Sequence, residues 1–207
     1  MRLLLIRHGQ SVANAENRLQ GIMNSPLSEL GREQAHALAR RLVREGWSLS
    51  AIHTSDLSRA AETAEILGMA LGAPVLLDER LREYDVGLLT GLAAADVERL
   101  HPDIWQALRQ SPVWPAIPGE EGAEAFISRI ASALDDVRTV NGEGQAVALV
   151  SHGRTLSMIL AHLLELDPDR RTPFAFGNTS LSVVEFRPHR ILLTSLNDLC
   201  HLGDGLR

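Results

Sequence analysis

Two segments far apart in the chain carry the same local chemistry. Ile6-Arg7-His8-Gly9 and Val150-Ser151-His152-Gly153 each set an imidazole directly after an apolar run and directly before a glycine. Glycine lets the backbone turn tightly and come close to a ligand. Between these segments, Ser55-Asp56-Leu57-Ser58-Arg59-Ala60 puts a second guanidinium into the first turn of an expected helix. Free N–H groups at a helix start and the fork of an arginine both suit anions, phosphate above all. A carboxyl, Glu83 in Leu81-Arg82-Glu83-Tyr84-Asp85, is a candidate to move a proton. Asp85 competes for that role, and the plainer reading of Glu83 is a loop charge paired with Arg80 or Arg82. The histidines lack the helical or CxxC-type spacing of metal ligands and have arginine beside them, so no metal is expected.

Ligands of an open α/β sheet bind at the carboxyl ends of its strands. Leu3-Leu4-Leu5-Ile6 reads as a short strand buried on both faces. Ser28 is a helix cap, residues 29–44 form an amphipathic helix, and Gly46 stops it. A second strand over 51–55 leads to a helix capped by Asp56 or Ser58 that closes near Gly72, and a third strand follows at 75–77. Helix 123–140, buried strand 146–151 and helix 155–166 come next, and segments 180–186 and 191–196 flank Arg187-Pro188-His189-Arg190 as an antiparallel pair. Alternation of this kind predicts an α/β three-layer sandwich, a mostly parallel central sheet with helices on both faces and an antiparallel strand.

Two stretches depart from that rhythm. Residues 14–24 read as a polar loop. Residues 78–122, punctuated by Gly87, Gly91, Pro102, Pro112, Pro115, Pro118 and Gly119, read as a helical cap insertion over the strand ends, with a helical piece at 94–100. Within the insertion, Trp105 and Trp114 read as packing residues, and Glu120 and Glu121 as exposed. With no internal repeat or linker, 1–207 reads as one domain.

At 207 residues, 45% hydrophobic and 22% charged, the chain can bury one sizeable core. A net charge of −6 speaks against a broad nucleic-acid footprint but leaves room for a small basic pocket. The lone cysteine, Cys200, allows no internal disulfide. The apolar run at the start is too short for a signal-peptide core or a membrane span. A cytoplasmic protein with no membrane or nucleic-acid partner is the expectation.

Taken in order, Arg7-His8-Gly9, Ser58-Arg59-Ala60 followed by Glu62-Thr63-Ala64, Glu83 ahead of Gly87 and Gly91, and Ser151-His152-Gly153 resemble the histidine phosphatase superfamily. The branch is the one that also holds the cofactor-dependent phosphoglycerate mutases. Gln20-Gly21, Pro26-Leu27 with Gly31 and Gln34-Ala35, and Asn178 extend the resemblance over nearly the whole chain. It implies a phosphoglycerate mutase-like fold acting on a small-molecule phosphate monoester, with inorganic phosphate as product, no cofactor, and a monomer or homodimer. It also implies that His8 attacks phosphorus to give a phosphohistidine, with Arg7, Arg59, His152 and the Gly153 N–H on the phosphoryl oxygens. Glu83 would protonate the leaving group and then act as base, and Asn14, Gln20 and Gly21 would line the pocket. Ala13 and Leu89 stand where tryptophans are common, Asn24 where aspartate is usual, and Arg154 where mutases tend to have asparagine. These departures favour a phosphatase. A mutase-type isomerase and a phospholigand-binding module without turnover are the alternatives. Arg154 is read either as a further substrate contact or as a solvent-facing helix start.

Overall fold

Leu3, Leu4, Leu5 and Ile6 are fully buried within strand β1 (Arg2–Arg7) of a computed structural model that describes residues 1–111, 113–142, 144–167, 172–203 and 205–206. Pro112 of the insertion lies outside the described residues. Successive strand side chains point to opposite faces, so Leu3 and Leu5 join one core cluster and Leu4 and Ile6 another. Burial of each such side chain contributes about 1.5–3 kcal/mol.

After β1 the chain forms α1 (Val12–Ala15), α2 (Glu29–Arg44), β2 (Ile52–Thr54), α3 (Ser58–Leu71) and β3 (Val75–Leu77). Then come α4 (Ala94–Leu100), α5 (Pro102–Gln110), α6 (Ala123–Val140), β4 (Ala146–Ser151), α7 (Gly153–Leu163), β5 (Leu181–Arg187) and β6 (Arg190–Asp198). The described strands form one sheet in the order β3-β2-β4-β1-β5-β6. Only β5 runs against the others, pairing antiparallel with both β1 and β6. Leu38 and Leu42 of α2 and Ala60, Ala64 and Leu67 of α3 pack with Leu4 and Ile6. Phe126, Ile130 and Leu134 of α6 and Leu156, Ile159 and Leu160 of α7 pack with Leu3 and Leu5. Helices therefore cover both faces, as the alternation predicts. No helix among the described residues is long and apolar enough to cross a membrane.

Three helix starts differ from the sequence reading, two of them because a distant residue intervenes, and α7 ends at Leu163 rather than 166. The polar stretch 14–24 begins inside a helical turn, α1, where Ser11 and Asn14 form a reciprocal capping box. Neither Asp56 nor Ser58 caps α3; its N-cap is Leu57, which makes no side-chain cap bond. Asp56 is held instead by the Arg82 fork, and the Ser58 N–H donates to Asn24 Oδ1 at 2.8 Å. Helix α7 starts at Gly153, two residues early, because its first N–H groups are received by Glu83 rather than by a local side chain. The stretch 78–122 also contributes to the core itself, through Leu81, Tyr84, Val86, Leu89, Val97 and Ile117.

The turn after β1 is pressed onto the start of α2. A Cβ on Gly31 would lie 2.0 Å from the Gln10 carbonyl oxygen, and one on Gly9 2.4 Å from that of Gly31. The Gln10 backbone cannot retreat freely, since it accepts from Ser28 N and donates to Gln34 Oε1. Gly31→Ala is therefore expected to cost about 1–3 kcal/mol of stability, read from the urea midpoint. An unchanged midpoint would mean the turn yields without cost.

Candidate active site

Register brings the two histidines together. β1 and β4 are parallel neighbours with Arg7 opposite Ser151, and the His8 N–H donates to the Ser151 carbonyl at 3.0 Å. The His8 and His152 ring centroids are 5.1 Å apart. β2 ends at the same sheet edge, and the helix after it delivers Arg59, which is 1% exposed. Arg59 donates through Nε to His152 Nδ1 at 3.2 Å, through Nη1 to the Met23 carbonyl and through Nη2 to the Gly21 carbonyl. Arg7 Nη1 donates to the Phe176 carbonyl at 2.6 Å. Both guanidiniums are thus fixed by neutral acceptors, which hold them in place without cancelling their charge.

Protonation follows from the partners. His8 Nδ1 faces the Gly9 carbonyl oxygen at 2.6 Å; that oxygen can only accept, so Nδ1 carries the hydrogen. Burial, then the Arg7 and Arg59 charges, push the His8 pKa well below its usual value, leaving Nε2 as a bare lone pair. Burial and then Arg59 likewise depress His152. Its Nδ1 accepts from Arg59, so Nε2 carries its hydrogen. That Nε2 and Arg7 Nε are buried N–H groups with no hydrogen-bond partner among the described residues, which leaves them as donors for an anion's oxygens. Burial lowers Arg59 to about 10, still cationic near neutrality.

Glu83 is not paired with Arg80 or Arg82, which hold Asp78 with Asp136 and Asp56 respectively. Its Oε1 accepts from Tyr84 N, Thr155 N and Thr155 Oγ1 at 3.0–3.1 Å, and its Oε2 from Arg154 N at 3.1 Å. The carboxyl is seated on the N-terminus of α7 and acts electrostatically on both Arg7 and Arg59. Asp85 accepts from the Gly87 N–H within its own turn and does not reach the cavity, so Glu83 is the carboxyl at the site.

A cavity of about 770 Å³ opens over these groups, and Arg7, His8, Asn14, Gln20, Gly21, Arg59, Glu83 and Gly153 all line it. His152 is fully buried beside His8 and is not part of the wall. Asn178, quoted above only for the resemblance, donates to the His8 carbonyl at 3.1 Å and to Asn14 Oδ1 at 3.4 Å. Much of the remaining wall is apolar: Leu19, Val86, Trp114, Phe126, Met158, Phe174 and Phe176. Composition could not reveal that wall, because it is assembled from separate loops and helices. Trp105 packs against the core as expected, whereas Trp114 both packs there and lines the cavity. Glu120 and Glu121 are not simply exposed. Glu120 accepts from Tyr84 and Trp114, and Glu121 binds both arms of Arg129. Arg154 faces the cavity, not solvent.

Depressed imidazole pKa values have a consequence for folding. Unfolded histidine titrates near 6.5, so below that pH the unfolded chain binds protons that the buried rings do not. Stability from neutral His8 and His152 is full above about pH 6.5 and falls as pH drops, at most by about 1.4 kcal/mol per pH unit per ring. His152→Asn should flatten the loss of unfolding free energy between about pH 6.5 and 5 by close to one proton. A slope equal to wild type would show that His152 protonates in the folded state.

Comparison with known proteins agrees with this geometry. The sequence pattern of the histidine phosphatase superfamily (branch 1) matches residues 3–199. "Phosphoserine phosphatase 1" of Hydrogenobacter thermophilus is 31% identical over 204 residues, covering 99% of this chain and 95% of that protein. "Probable phosphoglycerate mutase GpmB" of Yersinia enterocolitica is 34% identical over 210 residues, covering 98% and 95%. Among solved structures, a mycobacterial glucosyl-3-phosphoglycerate phosphatase complexed with VO3 superposes with a TM-score of 0.85 at 33% identity, over 95% of this chain and 98% of that one. From its ordered site and its match over nearly its full length, the chain belongs to the histidine phosphatase superfamily, branch 1.

Proposed function

We propose that the chain is a phosphatase that hydrolyses phosphate monoesters of small metabolites through a phosphohistidine on His8. The observation that carries this reading is the neutral His8 ring, its Nδ1–H tied to the Gly9 carbonyl and its charge state suppressed by two flanking guanidiniums. Nε2 attacks phosphorus as the bond to the leaving oxygen breaks, and Glu83 gives that oxygen its proton. Water then attacks phosphorus as the Nε2–P bond breaks, Glu83 takes the water's proton, and phosphate leaves with the lone pair of His8 restored. Arg7, Arg59, His152 Nε2 and the Gly153 N–H hold the phosphoryl oxygens as charge shifts during transfer. Two guanidiniums repel a metal cation from this spot, so the mechanism is metal-independent. The whole chain, 1–207, acts as one cytoplasmic domain with 78–122 as its cap. A mycobacterial phosphatase of the same fold solved in complex with VO3 and with inorganic phosphate supports a reading in which such an anion is the ligand.

His8→Ala is expected to lower kcat on p-nitrophenyl phosphate by at least about a thousandfold; substantial residual turnover would refute the covalent route. Glu83→Gln should slow alkyl phosphates far more than activated aryl phosphates, because only the former need a proton on the leaving oxygen. An equal loss on both would remove Glu83 from the acid role. Identity of 34% with the Yersinia relative favours a second reading, a mutase-type isomerase. Incubation with 3-phosphoglycerate and a bisphosphate primer separates them: phosphate release supports the hydrolase, 2-phosphoglycerate the isomerase.

A further inference from the structure

Two cations of the cavity wall, Arg18 and Arg154, are not used by the phosphoryl end, and Arg18 is already taken by Glu16 and the Gly91 carbonyl. The Arg154 guanidinium lies 3.6 Å from the ring centroid of Tyr84 and 3.6 Å from that of Trp114. The two rings meet at 73° with centroids 6.0 Å apart, so the guanidinium sits in the corner they form, and the N–H edge turned away from that corner is the part that can reach an acceptor. Among the described residues its side chain forms no ion pair or hydrogen bond, and its Nη1 is buried without a partner. Neighbouring Arg129 shows the contrast: it binds both oxygens of Glu121 and the carbonyls of Arg80, Arg82 and Glu83. Leaving a buried donor unsatisfied is costly, and the fold does so at a group that faces the cavity.

The clamp is itself held from behind. Glu120 Oε2 accepts from Tyr84 Oη at 2.7 Å and from Trp114 Nε1 at 3.0 Å, while Oε1 accepts from Ile117 N at 3.1 Å. One carboxylate ties both rings together and so holds the corner in which Arg154 sits. The Arg154 backbone N–H also donates to Glu83 Oε2. On the function proposed above, that puts the clamp beside the proton donor, on the leaving-group side.

We infer that Arg154, clamped between Tyr84 and Trp114, is a specificity-determining residue that binds a carboxylate on the leaving group. The preferred substrates are then phosphate monoesters in which an apolar body joins the ester oxygen to that carboxylate. The body meets Phe126, Phe174 and Met158, and the carboxylate meets the N–H edge of the guanidinium that is turned away from the two rings. A planar monoanion suits this edge better than a phosphate dianion, because Glu83, Glu120 and Glu121 all act electrostatically on Arg154. Glu120 is a positioning residue that acts through the two rings.

The test compares 4-carboxyphenyl phosphate with its neutral analogue, 4-carbamoylphenyl phosphate, so that the ratio of kcat/KM isolates the charge. Wild type should favour the acid by about tenfold or more. Arg154→Met should bring the ratio close to one, mainly through KM on the acid, and Arg154→Lys should restore part of it. Glu120→Gln should raise KM for the acid while leaving the pH profile on the amide in place, a split that a merely structural loss would not produce. Should Arg154→Met fail to fold, the Glu120→Gln ratio decides alone. Equal ratios in wild type and variants would overturn the inference, as would a larger Arg154-dependent preference for 4-phosphonophenyl phosphate. Turnover of the amide that survives His8→Ala sinks the phosphohistidine reading instead, so the two failures are distinguishable.

Discussion

The hydrogen bond from His8 Nδ1 to the carbonyl of Gly9 is the contact on which the rest of the site depends. It decides which ring nitrogen is bare, and its geometry is set by a turn held on three sides. Gly9 is pressed against Gly31 at the start of α2, and its N–H donates to Thr63 Oγ1 at 3.1 Å. Thr63 in turn donates to the Arg59 carbonyl at 2.7 Å, so the turn that orients the imidazole is tied to the helix that presents the guanidinium. Asn178 closes the remaining side through the His8 carbonyl. His8 and Arg59 therefore share one backbone frame rather than meeting by side-chain flexibility.

That frame works under an electrostatic burden. Arg7 and Arg59 are buried beside two imidazoles, and burial is the largest influence lowering both arginines. Their fixed partners are carbonyls and a ring nitrogen, with Glu83 close enough to act on each. Carbonyls orient a cation while leaving much of its field available. The same field that lowers the His8 pKa also attracts an anion, so the neutral state of the imidazole and the pull on an anion come from one charge distribution.

What could be read in the chain, and what could not, divides by the range of the interactions. Strand β1, helix α2 with its Ser28 cap, and helix α6 follow from patterns complete within a few residues, and they stand where those patterns put them. The pairing of His8 with His152 was legible because parallel strands in register bring equivalent ends together. The starts of α3 and α7 were not, since Asn24 and Glu83 supply their acceptors from 34 and more than 70 residues away. Asn24 also shows why an amide can replace the usual aspartate: a cap needs an acceptor oxygen, not a charge. Glu120 reads as a surface acid until Tyr84 and Trp114 are seen to converge on it.

The cavity is built from two kinds of material. Its phosphoryl end comes from the ends of β1, β2 and β4, where sheet register and helix packing fix every group to within the tolerance of a close-packed core. Much of its other end comes from the 78–122 stretch, α6 and the 172–176 segment, which supply Tyr84, Val86, Trp114, Phe126 and Phe174. Substitutions in the second set can reshape the walls without touching the hydrogen bonds of His8, Arg59 or His152. Arg154 is where the halves meet: its backbone N–H holds Glu83, while its side chain is shaped by the insertion. A side-chain replacement there keeps the backbone donor, so this part of the cavity wall can change while Glu83 stays in place.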